Sequence, residues 1–162
     1  MRKFNIFLVI FFVLAISRLV PHPPNFTSLI ALSFYVPALL GMAYMPIVLL
    51  SLAITDIFLG FHNTMFFTWS SVILISFIAK YFSNSILKRF SGAFLSAVIF
   101  YLVTNFGVWA TGLYENSLSG LITSYILAIP FFGYTVISTI VFSTIIEASY
   151  KFFETLKLRT KV

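Results

Sequence analysis

The sequence predicts an all-α membrane protein, a compact bundle of about six transmembrane helices. Three observations lead there. Hydrophobic residues fill 60% of the 162 positions and charged residues 9%, with a mean hydropathy of +1.06, well outside the composition of a soluble domain. The apolar residues form long runs broken by proline and glycine, with no regular polar face between the breaks. The basic residues gather at the ends of those runs, where orientation in a bilayer explains them and no nucleic-acid partner is needed. Cysteine is absent, which excludes disulfides, thiolate metal sites and a cysteine nucleophile together.

The first expected span, residues 4–20, has the basic start and apolar run of a signal peptide. Its end is marked by Pro21, His22, Pro23 and Pro24 rather than by a small-residue cleavage site, so the helix is expected to be retained. Proline cannot continue a helix and biases its predecessor towards extended backbone, so residues 21–25 form a stiff turn. Spans two and three, residues 26–41 and 45–60, are separated by an uncharged turn at Gly41. Pro46 suits a first helical turn and Pro37 a kink. A fourth span covers residues 65–81, and a basic connection with Lys80, Lys88 and Arg89 leads to the fifth at residues 92–111. The sixth, residues 120–149, is longer than one upright helix needs, so Pro130 and Gly133 mark a kink or a break. Residues 150–162 are expected to form a cytoplasmic tail, an extension of the last helix.

With this division, one side of the membrane receives Arg2, Lys3, Lys80, Lys88, Arg89, Lys151, Lys157, Arg159 and Lys161, and the other only Arg18. The positive-inside rule then places both termini in the cytoplasm. Both histidines and Glu115 fall on the outer side.

Polar residues at membrane depth are costly unless paired or facing a wet cavity, so Arg18 and Asp56 define a candidate site. Arg18 is about two residues from the outer end of its span and Asp56 about four, a difference of a few ångströms at ~1.5 Å per residue. A pair at that level relieves the cost of both charges; alternatively Arg18 snorkels to the headgroups and Asp56 pairs locally. Ser51, Thr55 and Asp56 share one face of the third span. Tyr101, Asn105 and Trp109 recur every four residues on the fifth. Asn105 within an apolar helix needs a partner, which interhelical packing alone can provide, and Trp109 suits an interfacial anchor. The convergence of Arg18, His22, Asn25, Asp56, His62, Asn63, Tyr101, Asn105 and Trp109 near one end points to a binding pocket.

Other chemistries find less support. His22, His62 and Asp56 lack metal-ligand spacing, so no metal is expected. No nucleophile and base pair, phosphate loop or cofactor motif is present, and the chain is not expected to be an enzyme. Gly92, Ala93, Ser96 and Ala97 form a small-residue face on the fifth span that permits close helix approach, within the molecule or to a partner.

The blocks RLVPHPPNFTSLIAL, SLAITDIFLGFH, VTNFGVWATGLY and GLITSYILAIPFF, between residues 18 and 132, resemble the signature of a family of small, uncharacterised bacterial membrane proteins. That family is similar to the substrate-binding S components of energy-coupling factor (ECF) vitamin transporters. The likeness rests on size, six helices, cytoplasmic termini, and an acidic residue at the end of an early helix with a glycine and a short outer loop after it. It implies an ECF S-component-like bundle in the bacterial inner membrane that binds a vitamin-like small molecule at its outer face. It also implies a membrane coupling subunit with two ATPases as partners. S components usually dock through alanine-xxx-alanine motifs near the first helix, whereas this first span offers only Ala15 and Ser17. A solitary carrier therefore stays open. So do a non-transporting scaffold of the rod-shape-determining type and, further off, a metal-dependent membrane enzyme.

Overall fold

The computed structural model describes residues 2–159, with side chains from 3 to 156, and is all-helical among them. In chain order come α1 (Arg2–Leu19), α2 (Leu29–Leu40), a 3-10 turn (Met42–Tyr44), α3 (Met45–Leu59), α4 (Met65–Ala79), α5 (Ile86–Ala110), α6 (Leu118–Leu127) and α7 (Ile129–Arg159). Three described stretches are long and apolar enough to cross a membrane: Met42–Leu59, Ile86–Ala110 and Ile129–Leu156. α2, α4 and α6 are shorter apolar helices. At ~1.5 Å per residue α2 reaches about 18 Å, well short of a ~30 Å hydrocarbon core.

The shortness of α2 fits its place, because it packs against α1, α3, α4, α5 and α7 and is buried without interruption from Leu29 to Pro37. A helix that is apolar all round belongs in the middle of a bundle. Phe34 and Tyr35 fill its centre, surrounded by Leu14, Leu52, Val72 and Ile75. Pro37 has no N–H for the carbonyl of Ser33, which lies one turn back inside the core. The Ser76 hydroxyl on α4 lies 3.0 Å from that carbonyl and 2.9 Å from the Val72 carbonyl of its own helix, so its one hydrogen is shared between its own turn and the group that proline leaves bare.

α5 is the other organising element, in contact with α2, α4, α6 and α7. It starts earlier than expected, at Ile86, because the Ser85 side chain caps it by accepting from the Lys88 N–H at 3.3 Å. The small-residue face is buried: a Cβ placed on Gly92 would lie 2.5 Å from the Phe34 ring and 2.7 Å from Phe82 Cβ. That face brings helices together inside the molecule and is not available to a partner. Arg89, expected in a basic connection, instead reaches α7 and forms a two-pronged ion pair with Glu147, Nε to Oε1 at 2.5 Å and Nη2 to Oε2 at 2.8 Å.

The expected sixth span is two helices. The ladder breaks at Ala128, two residues ahead of Pro130, because the proline withholds its bond from residue 126 and crowds the turn before it. The carbonyl of Tyr125 beside the break accepts the Tyr101 hydroxyl at 2.6 Å, and the Tyr125 hydroxyl donates back to the Leu102 carbonyl at 2.8 Å. α7 then continues unbroken to Arg159, carrying much of the expected tail as helix; residues 160–162 lie outside the described residues.

Candidate functional site

One end of the bundle is built by the proline-rich turn after α1. Phe26 N–H donates to the Pro23 carbonyl at 3.0 Å across Pro24 and Asn25, and Asn25 takes the left-handed conformation at φ 63°, which asparagine tolerates better than bulkier residues. The Asn25 carbonyl accepts the Ser138 hydroxyl of α7 at 3.4 Å, and Ser17 and Ser28 join their hydroxyls at 2.8 Å. The turn is therefore fastened at both sides. His22, on top of it, faces the carbonyls of Pro23 (2.7 Å) and Arg18 (3.3 Å).

Beneath the turn the two charges of the apolar runs meet. Arg18 Nη2 lies 2.6 Å from Asp56 Oδ1, and Arg18 Nη1 donates to the Thr55 hydroxyl and, at 3.5 Å, to the Leu52 carbonyl. Asp56 Oδ2 also accepts the indole N–H of Trp69 on α4 at 2.8 Å. Ser51, Thr55 and Asp56 are all buried on one face of α3, as their spacing indicates. α3 then stops at Gly60, whose φ of 90° suits glycine and whose N–H returns to the Asp56 carbonyl.

A cavity of about 580 Å³ opens between the turn, the ends of α3 and α4, α5, and the α6–α7 break. Of the expected ligand contacts, Arg18, His22, Asn25, His62, Tyr101 and Asn105 line it. Three do not. Asp56 is 1% exposed and sits behind Arg18, Asn63 is exposed on the loop, and the Trp109 indole turns away to donate to the Glu115 carbonyl at 3.1 Å. Asp56 therefore acts on the cavity by holding Arg18. The remaining wall was not anticipated: Thr104 and Phe100 from α5, Ser124 from α6, and Phe131, Phe132 and Thr135 from α7. The signal for it was Pro130, since irregular backbone at membrane depth is stable where it lines a cavity. Trp69 gave no signal in the sequence, because its alignment with Asp56 depends on how α4 docks.

Among the described residues no group of three His, Asp or Glu side chains is placed to hold a metal ion. His62 Nδ1 instead pairs with the Thr64 hydroxyl at 3.0 Å.

A model for a family of unknown function, DUF6580, matches residues 1–160. The chain belongs to that family. No curated protein and no solved structure matches it. In this DUF6580 member, then, the cavity and its lining are the basis for a functional reading.

Proposed function

We propose that the chain is a substrate-binding membrane subunit, similar to an ECF S component, that takes up a vitamin-like small molecule from the outer face of a bacterial inner membrane. The observation that carries this reading is the cavity. Its volume of about 580 Å³ lies within the ~300–1,000 Å³ of small-molecule sites, and its mixture of aromatic rings with a few convergent polar groups is what such sites contain. The nine-to-one division of basic residues supports cytoplasmic termini and an outward-facing cavity. The S-component-like arrangement and a coupling subunit with ATPases belong to the same proposal. A scaffold of the rod-shape-determining type would have to use the exposed apolar faces, because the small-residue face of α5 is buried inside the bundle.

Native mass spectrometry of the full chain released in mild detergent tests the reading. A retained small molecule is expected on the wild type and should be lost from Thr104→Phe, which fills the cavity. A bare mass for the wild type, together with unchanged thermal stability across a metabolite extract, would sink it.

A further inference from the structure

We propose that the cavity takes a flat aromatic carboxylate that carries an N–H or O–H donor at its far edge. The proposal deepens the ligand-binding reading above and rests on it.

The argument is an account of donors and acceptors. Among the described residues the cavity lining holds one formal cation, Arg18, with His22 and His62 near it, and no carboxylate. Asp56, the counter-charge, lies behind the guanidinium with 2% of its side chain exposed against 12% for Arg18. It is further engaged by the Trp69 N–H. Arg18 uses Nη1 and Nη2 on α3 and has no partner for Nε among the described residues. A guanidinium with a free N–H at the edge of a low-dielectric cavity favours an anionic acceptor.

The wall formed by α5, α6 and α7 has the opposite character. Thr104 donates its hydroxyl hydrogen to the Phe100 carbonyl (2.7 Å), Ser124 to Leu121 (2.7 Å), Thr135 to Phe131 (2.9 Å), and Tyr101 to Tyr125 (2.6 Å). A hydroxyl has one hydrogen, so while these bonds hold each oxygen offers only an acceptor. Ser124 and Thr135 are buried, which leaves Thr104 and Tyr101 as the half-buried acceptors. Beside them the Asn105 amide gives one N–H to the Tyr101 carbonyl at 2.7 Å and keeps both a carbonyl oxygen and a second N–H. A ligand that satisfies both walls presents acceptors towards Arg18 and a donor towards the hydroxyls. Between them the rings of Phe100, Tyr101, Phe131 and Phe132 match a planar body.

Three compounds with one ring and different charge test this: indole-3-acetate, indole-3-acetamide and tryptamine, titrated calorimetrically into the full chain in nanodiscs. Indole-3-acetate should bind at least about tenfold tighter than either of the others. The double variant Arg18→Gln with Asp56→Asn, which strands no charge, should bring the acetate-to-acetamide ratio close to one. Thr104→Val should weaken indole-3-acetate while leaving 1-methylindole-3-acetate, which lacks the ring N–H, at its wild-type affinity. Preference for tryptamine, equal binding of the three, or binding of none overturns the ligand class. The binding reading itself falls only if native mass spectrometry also finds nothing retained.

Discussion

Among the described residues two arginine–carboxylate pairs are buried, and they differ in what surrounds them. Arg89 and Glu147 meet prong to prong at 2.5 and 2.8 Å, and Arg89 also donates to the Ser83 carbonyl at 2.9 Å, which ties α5, α7 and the α4–α5 connection together. Neither Arg89 nor Glu147 lines the cavity beneath the proline-rich turn. Arg18 and Asp56 meet at a single 2.6 Å contact, share their remaining capacity with Thr55, Leu52 and Trp69, and border the cavity. The first pair meets fork to fork and fastens helices. The second meets at one prong, leaves Nε without a partner among the described residues, and holds a cation at the edge of an open space. The same two functional groups thus serve as a strap at one end and as the border of a cavity at the other, about 18 Å away along α5 at ~1.5 Å per residue from Arg89 to Tyr101.

The most severe way to probe this contrast is Glu147→Ala, which removes both prongs from an Arg89 side chain that is only 13% exposed. A loss of about 3 kcal/mol is expected, read as a large drop in thermal midpoint in detergent, with ligand affinity of the folded protein unaltered. Asp56→Ala should cost less, about 1–2 kcal/mol, because it breaks one contact to Arg18 instead of two and Arg18 keeps its bonds to Thr55 and Leu52. Equal losses from the two variants would erase the distinction. Replacing both partners sharpens it further. Arg89→Met with Glu147→Met should be close to neutral for stability and binding, whereas Arg18→Met with Asp56→Leu should retain the fold and lose the retained molecule in native mass spectrometry. The smallest effect belongs to Trp69→Phe: about 1 kcal/mol from the lost N–H to Asp56, measured by chemical denaturation, with charge preference among ligands preserved.

How much of this was legible in the sequence depends on how local each feature is. The meeting of Arg18 and Asp56 could be read because each sits a fixed number of residues from a proline or glycine that ends its helix, and helical rise converts those counts into depth. The buried face of Ser51, Thr55 and Asp56 came from spacing alone. The start of α5 was missed because Lys88 and Arg89 look like loop residues until Glu147, 58 positions on, supplies the counter-charge. Likewise the far wall of the cavity could not be assembled from spacing. Thr104, Ser124 and Thr135 come together only because the chain breaks at Ala128, and a proline announces a disruption without fixing where the two halves point. The short α2 was also hidden, since residues 26–28 are as compatible with a membrane run as the residues after them.

The serine that answers Pro37 has a mechanical corollary. Sliding α2 past α4 would take from the Ser33 carbonyl the one cross-helix donor it has among the described residues, a hydroxyl it shares with Val72, in a buried place where water does not replace it. That shared hydroxyl adds about 1 kcal/mol to the packing of α2 on α4 and favours a common movement of the two helices over a slide of one along the other.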